Sequence, residues 1–268
     1  MLIRKPHVAG SFYPSDASEL RGFFESIFQP VRQQIAAKAV ILPHAGYVYS
    51  GKTAAAVVSR AQFPSAVLMI GPNHHGIGEE FALYPEGEWE TPLGCSAVDS
   101  DVTKKMLARS AYLSADEEAH ACEHSLEVLL PFLQKAAPRI RIVPLLINTF
   151  NLKRAKAVAL DCAEVLASSG APVSVAVSTD MNHFESDAMT RQKDRYALEA
   201  IGNMDEEALA ASVKEHRISM CGFVPVYMLL TMRSLLGFHK ATLVDYRTSG
   251  EATGDTQRVV GYAGFIFE

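Results

Sequence analysis

The sequence predicts a three-layer α/β/α sandwich around a mainly parallel, partly mixed central sheet. Two observations predict it. Apolar runs too short for helices, at 39–42, 66–70, 140–147 and 173–177, alternate with stretches of helical periodicity. That alternation implies parallel strands whose crossover helices cover both faces. The last two strand-like runs, at 241–246 and 258–267, have no helix between them, so part of the sheet is expected to be antiparallel.

Each element follows from local chemistry. Glycine and proline break the opening Val8-Ala9-Gly10-Ser11-Phe12-Tyr13-Pro14, which reads as irregular. Ser15-Asp16 supplies a cap for a helix carrying Leu20, Phe23, Phe24 and Ile27 at helical spacing. The strand at 39–42 runs into Pro43-His44-Ala45-Gly46-Tyr47, and an alanine-rich helix is expected over 52–61. The strand at 66–70 ends in Gly71-Pro72-Asn73-His74-His75-Gly76. Residues 81–93 suit a hairpin or an irregular region. Ser100-Asp101 is placed to cap a helix through 112. Leu126, Leu129, Leu130 and Leu133 form an apolar stripe on a helix containing Pro131, whose missing N–H predicts a kink. The strand at 140–147 precedes a helix over 152–168. The strand at 173–177 ends in Ser178-Thr179-Asp180-Met181-Asn182-His183. Helices are expected over 187–201 and 205–213, and a strongly apolar one through Leu236 follows Cys221-Gly222.

At 268 residues, with 49% apolar and 21% charged residues, the chain has ordinary globular composition and suits one domain spanning 1–268. A net charge of -5 and the lack of a basic run argue against nucleic acid and anionic membranes as partners. No apolar run approaches a membrane span, and the first residues lack a signal-peptide core. Four scattered cysteines without a CxxC motif point to free thiols and a reducing, cytoplasmic setting.

A parallel sheet gathers its strand ends on one edge, where open α/β folds place ligands. Here those ends carry His44, the His74-His75 pair, and Asp180 with His183. Cys221 falls near a helix N-terminus, where the dipole favours thiolate. Imidazole with thiolate suits iron, copper or zinc and does not suit magnesium or calcium. Three protein ligands would leave an open position, the pattern of a catalytic metal. Each residue also has a plainer reading. Cys221 is equally a small buried hydrophobe. Asp180 is equally a cap or turn residue. His75 is equally a solvated loop residue, Tyr47 a packed aromatic, and Glu123 with Ser125 helix-start chemistry. His7, His120, His216 and His239 read as surface or satisfied structural residues.

Taken together, Pro43-His44-Ala45-Gly46-Tyr47, Gly71-Pro72-Asn73-His74-His75, Glu123-His124-Ser125-Leu126-Glu127, Ser178-Thr179-Asp180-Met181-Asn182-His183 and Cys221-Gly222 resemble the Memo family. Bacterial and archaeal members are often labelled AmmeMemoRadiSam system protein B. The resemblance runs from Val8 nearly to the C-terminus. It implies a fold similar to class III extradiol dioxygenases and a mononuclear metal, iron first, with copper or zinc as alternatives. It places the metal on His44, His74 and Cys221, with His183 as acid/base and Asp180 orienting an imidazole. His75, Tyr47, Glu123 and His124 fall in its pocket. The dioxygenases use a carboxylate where this chain has Cys221, and thiolate is the softer ligand. The implied function is a dioxygenase-like oxidoreductase acting on a small aromatic substrate. Its alternatives are a non-catalytic protein that binds a peptide or other ligand or handles iron or copper, and a metal-dependent hydrolase. The family label also implies a functional link to a radical S-adenosylmethionine protein.

Overall fold

The computed structural model describes residues 2–268. Four strands form the parallel centre of the main sheet: β1 (Ala39–Leu42), β2 (Ala66–Pro72), β4 (Arg141–Ile147) and β5 (Val173–Ser178), in the order β1-β5-β2-β4. β3 (Phe81–Leu83) runs antiparallel on β4 at one side. On the other side β8 (Val259–Phe267) runs antiparallel on β1, and it pairs in turn with β6 (His183–Glu185) and β7 (Ala241–Thr248). Ser114–Ala115 completes nine strands beyond β3. The expected antiparallel β7–β8 pairing is present.

Every residue of β1 and β2 is buried, because helices cover both faces. Successive side chains point to opposite faces, so the strands feed two cores. Ile41, Leu68, Ile70 and Val177 pack with α3 (Ser100–Arg109), α5 (Leu152–Ala167), α6 (Asp187–Gly202), α7 (Glu206–Glu215) and α8 (Phe223–Leu236). Val40, Leu42, Val67 and Met69 pack with α1 (Ala17–Ile27), α2 (Tyr47–Arg60) and α4 (Leu130–Ala136). This is the three-layer sandwich.

Several boundaries differ from expectation. α2 starts at Tyr47, five residues early, because the Gly46 carbonyl already accepts from the Tyr49 and Ser50 N–H groups. α3 is capped by Asp99, whose side chain accepts from the Val102 N–H, rather than by Ser100-Asp101. The region 81–93 is split between two sheets: β3 joins the main one, while Glu88–Thr91 pairs with Gly94–Ala97 and Ile3–Arg4 in a small one. Pro131 does not interrupt a helix. A 3-10 turn covers Glu127–Leu129, and α4 begins at Leu130. The proline thus sits in a first turn, where its missing N–H has no intrahelical partner to lose. Among the described residues no helix is long and apolar enough to cross a membrane, and all four cysteines are free.

Candidate metal centre

Three loops leave β1, β2 and β5 at the same edge. Each carries a singled-out residue two positions past its strand: His44 after Leu42, His74 after Pro72 and Asp180 after Ser178. The register explains the convergence, since Ser178 lies level with Leu42, and Val177 with Ile70. A fourth loop, ahead of α8, brings Cys221 alongside. Its approach depends on Gly222, because a Cβ there would stand 2.4 Å from the Ser178 carbonyl oxygen. The Gly222 N–H donates to Thr179 Oγ1 at 3.0 Å, and the Asp180 N–H donates to Cys221 Sγ at 3.2 Å.

The result is a triangle of ligand atoms. His44, His74 and Cys221 each offer one, all within 4.8 Å of one another, and Cys221 Sγ lies 3.2 Å from His44 Nε2. Hydrogen bonds fix which imidazole nitrogen is free. Ser178 Oγ donates to the Ser125 carbonyl at 2.6 Å, so its lone pair accepts from His44 Nδ1 at 2.5 Å. His44 is therefore the Nδ1–H tautomer, with its Nε2 lone pair toward Cys221. Glu123 does the same for His74. Its Oε1 accepts from His74 Nδ1 at 2.9 Å and from the Ser125 N–H at 2.8 Å, and its Oε2 accepts from the His74 N–H at 2.6 Å. A carboxylate cannot donate, so His74 also presents a bare Nε2. Each ring thus has a nitrogen that its own hydrogen bonds leave free. The group His74, Glu123 and His124 is close-knit as well, but the Glu123 oxygens are already occupied in orienting His74.

Burial favours the neutral forms of His44 and His124. Burial lowers the His44 pKa well below its ordinary value, and the neighbouring His74 and His124 lower it further. Burial likewise brings His124 down to about 4. Burial alone would raise the Glu123 carboxyl, but the bonds from His74 and Ser125 outweigh it and hold that carboxyl well below the usual range. Asp180, whose Oδ1 accepts from the His44 N–H at 2.9 Å, is pushed up to about 7 by burial. Asp180 thus holds the backbone of His44 and not a ring. The expected dipole effect on Cys221 is reversed: burial, with the Asp180 charge beside it, pushes the thiol up. Cys221 is not in α8 but precedes its capping Gly222, and desolvation dominates. A metal held here by Cys221 would have to displace the thiol proton.

His183 lies at the start of β6, outside the triangle. Its N–H donates to Ser219 Oγ and its Nδ1 to the Ser219 carbonyl, both at 2.8 Å, so its Nε2 is free. Burial lowers its pKa, with the bond to Ser219 opposing. Phe184 follows in a bulge: His183 pairs with Val260 and Glu185 with Val259, leaving Phe184 unpaired at φ 61°. That conformation costs a bulky residue about 1–3 kcal/mol. Phe184 is 63% exposed, and the Arg258 guanidinium over its ring at 5.7 Å returns only about 0.5–1 kcal/mol.

The remaining singled-out residues separate. His124 joins the cluster, its ring stacked on His74 at 4.6 Å and against Phe12 at 4.8 Å. His75 is an exposed loop residue whose N–H donates to Asn73 Oδ1. Tyr47 is buried among Tyr13, Phe24 and Phe132, and its hydroxyl donates to the Val128 carbonyl at 2.8 Å. It backs the site without offering it a free polar group. Sequence reasoning did not single out Ser178 or the buried Arg4–Glu127 pair. Glu127 accepts from Arg4 at 2.8 Å, from the His7 and Val8 N–H groups, and from Tyr13. Arg4 donates also to the Glu123 carbonyl at 2.8 Å, tying the N-terminal segment to the residue that holds His74.

A family model described as Memo-like protein matches residues 4–266. Similar curated proteins named MEMO1 family protein include one from Aquifex aeolicus, 39% identical over 270 residues and covering all of both chains. Another, from Thermotoga maritima, is 39% identical over 281 residues and covers 98% of this chain and 99% of its own. Among solved structures, the uncharacterized protein JW3007 from Escherichia coli K12 matches with a TM-score of 0.54 at 12% identity. It covers 84% of this chain and 98% of its own, a likeness of fold alone.

Proposed function

Because the chain belongs to the Memo-like family, we propose that His44, His74 and Cys221 hold a single redox-active metal ion. We propose further that the protein is a dioxygenase-like oxidoreductase acting on a small aromatic substrate. The observation that carries this reading is that one ligand atom each from His44, His74 and Cys221 lies within 4.8 Å of the others, with His44 Nε2 3.2 Å from the thiol sulfur. Iron or copper held by these three residues would supply one-electron chemistry. The chain's own residues do the rest. Glu123 and Ser178 keep both Nε2 atoms bare, and Asp180 anchors the His44 backbone. His183, whose pKa burial lowers and whose Nδ1 donates to the Ser219 carbonyl, takes a proton from a substrate hydroxyl and returns it as dioxygen, the oxidant and co-substrate, oxidises the ring.

One observation favours a second reading, a metal carrier. The His74 side chain is 30% exposed, so a metal there can be exchanged at the surface. Metal content and oxygen uptake separate the two. Protein purified anaerobically is expected to carry stoichiometric iron or copper, lost in the His74→Ala, Cys221→Ala double variant. Oxygen uptake with catechols is expected to need His183. Metal without uptake leaves the carrier, zinc alone supports hydrolysis, and no metal even after reconstitution overturns the metal centre.

A further inference from the structure

We propose that Phe184 and Arg258 form a substrate-recognition face beside His183, and that the ligand is an aromatic bearing a carboxylate. The substrate class rests on the oxidoreductase reading; the binding face itself does not. Phe184 is the unpaired residue of the β6 bulge, in a left-handed conformation that glycine adopts without cost. The chain keeps a phenyl ring there and holds it out in solvent, so the side chain gains little from the fold. Bulges recur next to active sites, where they re-aim a side chain. Here the re-aimed ring lies edge-on to the His183 imidazole, with centroids 5.5 Å apart.

Arg258, in the exposed loop just ahead of β8, holds its guanidinium 5.7 Å from the centroid of that ring. It forms no ion pair among the described residues. Glu185, in the same bulge, is taken by Lys193 at 2.8 Å and by Asn182 Nδ2 at 2.7 Å. An unpaired guanidinium beside an exposed aromatic face, on a protein of net charge -5, suits a planar anion that can stack and be gripped by two N–H groups. A ring stacked on Phe184 with its carboxylate on Arg258 lies beside His183, the group proposed to take its proton. A purely structural cross-strand pair would serve the fold alone, and substitution distinguishes the two.

The test is anaerobic calorimetric binding of 3,4-dihydroxybenzoate and catechol to the protein with its metal as purified, alongside thermal melting. Wild type is expected to bind 3,4-dihydroxybenzoate at least about tenfold tighter than catechol. Arg258→Met should erase that preference and Arg258→Lys keep part of it. Phe184→Gly should weaken both ligands by a similar factor while the melting temperature stays level or rises. Equal binding to wild type, a preference that survives Arg258→Met, or binding of neither ligand overturns the inference. So does a Phe184→Gly protein that melts lower yet binds normally. Oxygen uptake is read separately: selective binding without uptake removes the oxidoreductase reading and leaves the recognition face intact.

Discussion

Removing the Ser178 hydroxyl should weaken metal binding out of proportion to its size. In Ser178→Ala the His44 Nδ1–H loses its acceptor inside a buried site, and nothing then favours the tautomer that bares Nε2. Affinity is expected to fall about 10- to 100-fold in chelator competition, with the fold retained. Asp194 offers a second test, one of pH. Its carboxyl accepts from the Asn182 N–H at 2.9 Å and the Tyr246 hydroxyl at 2.7 Å, yet burial raises it to about 6. Because the folded value is the higher one, the protonated group stabilises the fold at low pH. That contribution is lost as pH rises from about 4 through 6, amounting to about 2–3 kcal/mol. Urea denaturation across this range should show the decline in wild type and a flatter profile in Asp194→Asn.

Pro131 decides between two readings of one stretch. A proline inside a helix costs about 3 kcal/mol, so its replacement by alanine would stabilise strongly. In the first turn of α4 it costs almost nothing, and it restricts the unfolded chain. Pro131→Ala is therefore expected to leave stability unchanged or lower it by up to about 1 kcal/mol in urea denaturation. The same stretch shows what was legible in the sequence. Strands of the parallel centre announce themselves as apolar runs, and their ends point to His44, His74 and Asp180. The apolar stripe of Leu126, Leu129, Leu130 and Leu133 does not reveal that two short elements carry it, since 3-10 and α turns bury nearly the same positions. Ser178 gave no signal because its role needs a carbonyl from Ser125 on a distant loop. Cys221 stands out in the sequence, but its thiol is raised rather than lowered: the dipole is visible in sequence and burial is not.

The molecule as a whole is closed at its N-terminal end by Arg4, which is buried on Glu127 and lies over Trp89 at 4.3 Å. Arg4→Met leaves a carboxylate in the interior without its cation and should destabilise by about 3 kcal/mol. Adding Glu127→Gln should recover part of that loss in urea denaturation. The single variant should also hold metal less tightly, because Arg4 fastens the Glu123 backbone behind His74. The spread of the ligand set along the chain has a consequence in time. His44 and Cys221 stand 177 residues apart. At about 5–20 residues per second, a chain emerging from the ribosome exposes His44 roughly 9–35 s before Cys221. If the proposed centre holds a thiophilic ion, the full ligand set is available to it only once synthesis is nearly finished.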